Sequence, residues 1–350
     1  AMGSVRHFLS RYWGLLLTVV VVLALFLVPL PYYIEGPGSA NNLKSFVTVK
    51  RHPDRRRGKF MLTSVAEAPA TPAMWLYAQL NPHYDVVSAT DMTGGQDDAT
   101  YNRVQKFYMR SAINEAIVTA YAAAHQGYQK TYQGIYVLTV QSNSKFKHRL
   151  KVGDTITKVD GRHFNTARAY QDYIGKQGIG HRVTITYRRN GRTKQATAPL
   201  VKLSTHRAGI GIGLTDNIKV TTTIPVKVDP GEIGGPSAGL MFSLQIYQQL
   251  TNQNLRHGQK IAGTGTIDQN GQVGEIGGID KKVIAAKRAG ATIFFAPYVK
   301  PTKALLAVEE KGQTNYQLAK ATAKKYAPNM KVVPVTSFKQ AVHYLQTHTP

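Results

Sequence analysis

A serine within a glycine-rich turn is the first residue of this chain whose surroundings indicate chemistry. Ser237 follows Gly234, Gly235 and Pro236 and comes just before an apolar stretch with the length of a helix. The two glycines permit a backbone path that other residues avoid, and a proline suits the first turn of a helix. Unpaired amides at a helix start stabilise a developing oxyanion, so we predict Ser237 as a nucleophile. The surrounding backbone, including Ala238, is predicted to hold the oxyanion.

A serine hydroxyl needs a proton acceptor, and a second predicted helix, which begins at Ile279, carries two adjacent lysines. At about 100° per residue, Lys282 lies about 60° from the centre of the apolar stripe of that helix, whereas Lys281 points nearly opposite. Burial lowers the pKa of an ammonium from ~10.4, so Lys282 is predicted as a neutral general base. We expect Lys281 to stay charged in water. Thr264 ends a predicted strand before this helix and is expected to orient the amine.

Carboxylates and the glycine loop near these motifs suggest other kinds of site. We interpret Asp229, Glu232, Asp268 and Glu275 as capping and turn residues rather than as a carboxylate pair or a metal site. No histidine cluster has metal-ligand spacing, and the absence of cysteine excludes thiolate zinc sites and a thiol nucleophile. Phosphate binding is the alternative interpretation of the glycine loop, weakened because the chain has no G-x-x-x-x-G-K-[ST] motif. We therefore predict neither a metal nor a cofactor.

A second group of motifs lies upstream, between residues 127 and 204. Residues 150–161 have the pattern L-x-x-G-D-x-I-x-x-V-x-G. A helical stretch over residues 166–176 and an alternating strand over residues 183–187 follow. This order predicts a small β-rich domain with a single helix beside a groove.

These motifs resemble those of a PDZ domain. The resemblance implies that Gly134, Ile135, Tyr136 and Val137 form a carboxylate-binding loop. Loop amides of this kind hold the terminal carboxylate of a peptide, which adds a strand to an exposed sheet edge beside the helix. A degenerate PDZ domain that serves as a spacer or lid is the alternative.

The N-terminal region contains a long apolar stretch. No charged residue occurs from Tyr12 to Ile34, which as a helix is long enough to cross ~30 Å of hydrocarbon. Arg6 and Arg11 precede the stretch, and the next basic residue is Lys44, so the positive-inside rule places the N-terminus in the cytoplasm. We predict a single-pass protein of the cell membrane with the bulk of the chain extracellular. A cleaved signal peptide is the alternative, disfavoured by the length of the stretch.

The chain is strongly basic, with 44 Lys+Arg against 19 Asp+Glu and a formal net charge of +25. Outside a membrane, the anionic partners at hand are lipid headgroups and wall polymers. The basic run over residues 50–59 would contact them, or it is a solvated loop. No recognition helix, zinc finger or RNA-binding signature occurs, so we predict no nucleic-acid partner.

The motifs around the serine and the lysine also resemble a known family. The segments GPSAG, TG with a following turn, and IGGIDKKVIAAKRAG look like the proteolytic domain of the Lon family. That resemblance implies a Ser-Lys dyad of Ser237 and Lys282, with Thr264 supporting the lysine. Ile233-Gly234 stands where Lon enzymes usually carry a Lys-Asp pair, which puts the resting shape of the loop in question. The AAA+ module of Lon is missing, so ATP-driven unfolding of substrates is not expected.

With the apolar N-terminus and the PDZ pattern, the architecture is similar to membrane-anchored, PDZ-containing Lon-like proteases of Gram-positive bacteria. We therefore predict a multidomain chain with an N-terminal transmembrane helix, a β-rich PDZ-like domain and a C-terminal α/β Lon-type proteolytic domain. The predicted divisions are a cytoplasmic N-terminus (1–11), a transmembrane helix (12–34), an extracytoplasmic region ending in a helix (35–126), the PDZ-like domain (127–204) and the proteolytic domain (205–348).

The predicted function is an ATP-independent, extracytoplasmic serine endopeptidase that cleaves peptides or unfolded protein segments. The PDZ domain would recruit substrates or regulate the enzyme. Because Lon-type domains often form rings, a homo-oligomer is a further expectation. The alternative is a catalytically inactive, membrane-tethered scaffold whose PDZ domain binds peptides.

Overall fold

The computed structural model describes the backbone of residues 2–348 and the side chains of residues 11–348. The helices are α1 Met2–Leu27, α2 Pro72–Leu80, α3 Ala89–Thr93, α4 Asp98–Ala123, α5 Ala167–Gly175, α6 Gly239–Thr251, α7 Ile279–Arg288, α8 Lys303–Leu306, α9 Asn315–Tyr326 and α10 Phe338–Thr347. The strands are β1 Tyr32–Asn42, β2 Val47–Val49, β3 Lys59–Pro69, β4 Asp85–Ser88, β5 Tyr128–Val140, β6 Thr155–Val159, β7 Arg182–Arg189, β8 Arg192–Pro199, β9 Val201–Lys202, β10 Ala208–Gly209, β11 Ile212–Thr222, β12 Val226–Val228, β13 Lys260–Gly263, β14 Thr266–Ile267, β15 Val273–Gly274, β16 Ile293–Pro297 and β17 Lys331–Val335.

A six-stranded sheet in the order β17-β16-β13-β3-β1-β4 is the centre of the larger unit of the fold. β17, β16, β13 and β3 are parallel to one another, whereas β1 pairs antiparallel with both β3 and β4. Side chains alternate along these strands between two cores: Phe60, Ile261 and Phe295 pack in one with α4, α6 and α10, and Met61 and Ala262 pack in the other with α7 and α9. Because these strands are covered on both faces, each of them appears in the sequence as a short apolar run.

Strands from the first 90 residues form half of this sheet. β3 pairs in parallel with β13 about 200 positions further along the chain, with Phe60 opposite Ile261. The sequence pattern also predicts strands over residues 261–264, 293–296 and 332–334, and these lie at β13, β16 and β17. Local patterns did not indicate that the region of residues 35–126 pairs with them.

The β-rich unit between α4 and β12 contains a five-stranded sheet in the order β11-β5-β6-β7-β8 and the helix α5. Its core is separate from the cores around the six-stranded sheet and includes Ile135, Ile156, Tyr170 and Val183. The predicted small β-rich domain with one helix is therefore present.

The prediction of a transmembrane helix over residues 12–34 is wrong. α1 ends at Leu27, ahead of Pro29, and Tyr33 and Ile34 are buried residues of β1. The uncharged part of α1 after Arg11 is thus about 24 Å long at 1.5 Å per residue, less than the ~30 Å of a hydrocarbon core. Within the part of the chain that the structure describes, no helix is both long and apolar enough to cross a membrane.

The same finding corrects the predicted localisation as a single-pass protein of the cell membrane. The predicted cytoplasmic segment of residues 1–11, with Arg6, lies outside the described side chains except for Arg11.

Candidate functional site

The structure brings Ser237, Lys282 and Thr264 together. Lys282 Nζ lies 2.7 Å from Ser237 Oγ and donates a hydrogen bond to Thr264 Oγ1 at 3.2 Å. Thr264 Oγ1 in turn donates to the backbone carbonyl of Ser237 at 3.1 Å. The threonine therefore contacts both the amine and the backbone of the serine, which fixes their relative position.

The lysine is positioned by a helix that is buried along most of its length. α7 begins at Ile279 after Gly278, whose φ of 67° is favourable only for a residue without a side chain. Ile279 and Val283 are fully buried between α7, α9 and the sheet, so the apolar stripe predicted from the sequence lies where expected. Lys282, next to this stripe, is only 4% exposed.

Burial lowers the pKa of Lys282 to about 7, and the nearby Glu67 carboxylate partly opposes this shift. A lysine with a pKa near 7 is neutral in about half of the molecules at neutral pH. A neutral amine at 2.7 Å from a hydroxyl oxygen can accept the hydroxyl proton as the oxygen attacks a carbonyl carbon. The pair thus has the distance and the protonation state of a nucleophile and its general base.

Ser237 lies just before α6 rather than within it. The helix begins at Gly239, so Pro236 is in the loop and not in the first helical turn, contrary to the sequence-based expectation. The Ser237 carbonyl accepts the Gly265 amide at 2.9 Å. A Cβ atom at Gly239 would lie 2.9 Å from the Ile267 amide nitrogen, which requires a glycine at this close approach.

The predicted oxyanion-binding backbone is only partly available. The Gly235 amide donates to the Gln105 carbonyl at 2.9 Å, and Pro236 has no amide proton to donate. The amides of Ser237 and Ala238, at the start of α6, are the remaining candidates of the predicted set next to the nucleophile.

Lys281 is the larger departure from the sequence-based expectation. It was predicted to lie in water, yet its side chain is 1% exposed and contacts Asp85, with Asp280 at 3.4 Å and Glu310 at 3.7 Å. Burial alone would lower the pKa of Lys281, but the hydrogen bond to Asp85 and the surrounding carboxylates outweigh it and raise the pKa. The pKa values of these two adjacent lysines therefore shift in opposite directions.

The carboxylates around Lys281 also have the spacing of a cation site. Oxygen atoms of Asp85, Asp280 and Glu310 lie within 4.8 Å of one another. Lys281 and Lys311 both make ion pairs within this group, so two ammonium groups already supply positive charge there.

The remaining carboxylates that the sequence singled out have mixed roles. Asp229 and Asp268 accept backbone amides in turns, at 3.1 Å from Gly231 and 2.8 Å from Asn270, as expected. Glu232 pairs with Lys106 at 2.8 Å. Glu275 is instead a partly buried residue beside the dyad, in the wall of a cavity.

The dyad opens onto a cavity of about 1130 Å³. One wall comes from the region of residues 35–126, including Glu67, Tyr101 and Gln105, which the sequence analysis did not identify. Tyr101 Oη donates to Glu67 Oε2 at 3.2 Å, and burial raises the pKa of Glu67. No local motif marks these residues, because Glu67 is on β3, which pairs with the distant strand β13, and Tyr101 and Gln105 are on α4, which packs against α6.

The predicted carboxylate-binding loop does not have the expected geometry. Gly134, Ile135, Tyr136 and Val137 lie inside β5, where they pair with β11 on one side while Ile135 and Tyr136 also pair with β6. The Val137 amide donates to the Asp154 carbonyl at 2.9 Å. These amides already have partners within the sheet.

A different edge of the sheet is open. β11 is the terminal strand of the described five-stranded sheet and lies beside α5, where the Ala167 amide donates to Asp216 Oδ1 at 2.7 Å. The repeat Gly209-Ile210-Gly211-Ile212-Gly213 runs from β10 into the start of β11 and is the sequence signal for this edge. A terminal strand is where an extended peptide can add to a sheet.

Comparison with known families gives two matches. Residues 122–200 match the PDZ domain, and residues 192–322 match the Lon protease (S16) C-terminal proteolytic domain. The chain therefore contains one region that matches a PDZ domain and one that matches the proteolytic domain of Lon proteases.

Individual relatives agree with the second match. A Lon protease of Heliobacterium modesticaldum is 36% identical over 88 residues, which are 25% of this chain and 11% of that protein. A Lon protease of Porphyromonas gingivalis is 35% identical over 92 residues, 26% of this chain and 10% of that protein. The chain thus spans about a tenth of the length of these relatives.

Among solved structures, the PDZ domain of the SdrC-like protein from Listeria monocytogenes is 34% identical, covering 24% of this chain and 90% of that domain with a TM-score of 0.23.

Proposed function

We propose that this chain is a serine endopeptidase that hydrolyses peptides or unfolded protein segments with Ser237 and Lys282 and without a nucleotide. The observation that carries the proposal is the 2.7 Å separation of Lys282 Nζ and Ser237 Oγ, together with the burial that lowers the pKa of Lys282 to about 7. A surface lysine would remain protonated at this pH and could not accept the serine proton.

In the acylation step, neutral Lys282 takes the Ser237 proton while Oγ bonds to the scissile carbonyl carbon. The Ser237 and Ala238 amides hold the oxyanion at the start of α6. The tetrahedral intermediate then collapses, the C–N bond breaks, and the Lys282 ammonium gives its proton to the leaving amine. The Lys282 amine then deprotonates a water molecule, which releases the acyl group from Ser237. Thr264 keeps Nζ in place through both steps.

The geometry of the dyad supports the proposed nucleotide independence. Ser237, Lys282 and Thr264 are already within hydrogen-bond distance in this chain, so their alignment requires no energy input. Substrates must then reach the cavity as flexible segments, since hydrolysis at this site does not itself unfold a folded protein.

The PDZ domain is proposed to hold the substrate on the β11 edge beside α5. Main-chain hydrogen bonds of an added strand give affinity with little dependence on sequence, and side-chain contacts to α5 add specificity. Homo-oligomerisation and contact with an anionic polymer remain predictions.

The test uses the complete chain in a buffer without nucleotide. Wild-type protein should cleave a fluorogenic unfolded substrate, such as labelled casein, and Ser237→Ala and Lys282→Ala should each reduce kcat by at least ~10³-fold. Ser204→Ala and Lys287→Ala are matched controls, since both side chains are exposed and Lys287 lies on the same helix as the base.

A fluorophosphonate probe provides a second measurement. It should label wild-type protein at Ser237 and fail to label the Lys282→Ala variant. Equal labelling or full activity of that variant would refute the dyad. Peptide binding without labelling would instead favour an inactive PDZ scaffold.

A further inference from the structure

The charge of the cavity around the dyad is opposite to the charge of the chain. The chain contains seven glutamates and has a net charge of +25. Six of the seven glutamates line this one cavity: Glu35, Glu67, Glu232, Glu275, Glu309 and Glu310. The seventh, Glu115, lies outside the cavity on α4 and is 3.6 Å from Lys130.

Basic residues in the cavity wall do not neutralise these carboxylates. Lys106 pairs with Glu232 at 2.8 Å on the exposed rim, and burial lowers the pKa of Lys282 to about 7. Glu310 lies 3.7 Å from Lys281, which is buried and is not part of the cavity lining. The other four glutamates of the cavity have no Lys, Arg or His nitrogen within 4 Å in the described part of the chain: Glu35, Glu67, Glu275 and Glu309.

Glu275 provides independent evidence that a hydrogen-bond donor is missing from this wall. Its Oε1 accepts the Asn315 amide at 2.9 Å, whereas its Oε2 is buried and has no hydrogen-bond partner among the described residues. Burial, opposed by the Asn315 amide, raises the pKa of Glu275 to about 7, and Glu309 adds to this shift by a side-chain hydrogen bond to the protonated form and by charge repulsion of the ionised form. A buried acceptor without a partner is costly, so a ligand that brings a donor is favoured.

A cationic side chain supplies both the hydrogen-bond donor and the positive charge that this wall lacks. Its N–H groups satisfy the free oxygen, and its charge relieves the repulsion between Glu275 and Glu309. A neutral donor would satisfy the oxygen but leave the repulsion, and an acidic side chain would increase it.

We infer that the cavity selects peptides that carry an isolated Lys or Arg side chain close to the scissile bond, bound by Glu275 and Glu309. This inference rests on the peptidase activity proposed above and adds its substrate class. The basic residue should be isolated because the chain as a whole carries +25 and repels polycationic segments at low ionic strength.

The experiment compares internally quenched peptides that differ at one position within three residues of the scissile bond. Each position carries Lys, the uncharged isostere norleucine, or Glu. At one or more positions, kcat/KM for Lys should exceed that for norleucine by about 10- to 100-fold, the range of a hydrogen bond to a charged group, and Glu should give the lowest value. A run of four lysines should be cleaved more slowly than a single lysine at low salt.

The double variant Glu275→Gln and Glu309→Gln keeps the shapes of both side chains and removes their charge. Its Lys-to-norleucine ratio should fall to near 1, whereas Glu115→Gln, which removes the glutamate outside the cavity, should keep the wild-type ratio. If circular dichroism shows that the double variant is unfolded, the single variant Glu309→Gln replaces it and should lower the ratio at least threefold.

The possible failures are distinguishable. Cleavage that depends on Ser237 but shows no preference for Lys or Arg would overturn this inference and leave the proposed function intact. A preference that survives in the folded double variant would refute the assignment to Glu275 and Glu309. Absence of any Ser237-dependent cleavage would refute the proposed function, and the inference would fall with it.

Discussion

The protonation of Lys282 makes the pH dependence of acylation the most direct test of the proposed mechanism. With a pKa of about 7, the amine is neutral in half of the molecules at pH 7 and in about a tenth at pH 6. With the ordinary value of 10.5, only about one molecule in 3,000 would be neutral at pH 7. Burial of this one side chain therefore increases the fraction of competent base by roughly three orders of magnitude.

The assay is the second-order rate constant for labelling of Ser237 by an uncharged fluorophosphonate, measured from pH 5 to pH 9.5. The rate should rise tenfold per pH unit below about pH 6.5 and level off above pH 8, with a midpoint at about 7. The Lys287→Ala variant, altered at an exposed position of the same helix, should give the same curve.

Substitution of Glu67 adds a directional test. Its carboxylate raises the pKa of Lys282, so Glu67→Gln should move the midpoint to lower pH. A wild-type midpoint above pH 9, or a profile that is flat over the whole range, would refute the assignment of Lys282 as a buried neutral base. A midpoint that moves upward in Glu67→Gln would refute the electrostatic explanation.

Three further predictions concern neighbouring residues. Unfolded Lys282 keeps its proton up to about pH 10.5, whereas folded Lys282 loses it above about pH 7, so the free energy of unfolding rises with pH between these values. At pH 8 the folded state still bears most of the cost of burying this lysine, so Lys282→Met should stabilise the protein by about 3 kcal/mol in urea unfolding. The control Lys287→Met should change the stability by nearly zero. Lys281→Met leaves Lys311 as the only ammonium group that pairs with Asp85 and Asp280 among the described residues, and it should destabilise the fold by roughly 2 kcal/mol in the same assay, since Asp85 is partly exposed. Thr264→Val removes one hydrogen bond to the amine and should lower kcat about tenfold with little change in KM.

The residues that perform the proposed chemistry could be predicted because each lies in a short local pattern. The glycine loop and the following apolar stretch mark Ser237, and the helical stripe beginning at Ile279 separates Lys282 from Lys281 by angle alone. These signals need no knowledge of the rest of the chain. They lead to α7 and to three side chains that lie within hydrogen-bond distance of one another in the structure.

The prediction that Lys281 lies in water was wrong because it assumed that one face of the helix meets solvent. The structure covers that face with carboxylates from β4 and the segment around Glu310, which are about 200 positions before and 30 positions after the lysine. No periodicity within α7 contains this information. The wall of the cavity around Glu67 was missed for the same reason, since pairing of β3 with both β1 and β13 is a long-range event.

The apolar N-terminus shows the opposite error, in which a local pattern was extended too far. Hydropathy does not distinguish a helix from a helix followed by a strand, and residues 12–34 contain both. Pro29 and Pro31 were the available signal, because proline disfavours the helical conformation of the residue before it. The strand conformation of Tyr33 and Ile34 then depends on pairing with β3 and β4, which the local sequence does not reveal.

Helix α4 connects the PDZ domain to the nucleophile loop through direct contacts. At the cavity end, the Gln105 carbonyl accepts the Gly235 amide at 2.9 Å, two residues before Ser237. Two residues further on, the Phe107 ring stacks on Tyr136 of β5 at 3.6 Å between ring centroids, and Asn114 donates to the Ile218 carbonyl of β11 at 2.9 Å. A peptide added to the β11 edge would therefore bind to a strand that contacts the same helix as the nucleophile loop. This arrangement, rather than a flexible linker, is what would deliver a captured peptide to the acidic cavity in a defined direction.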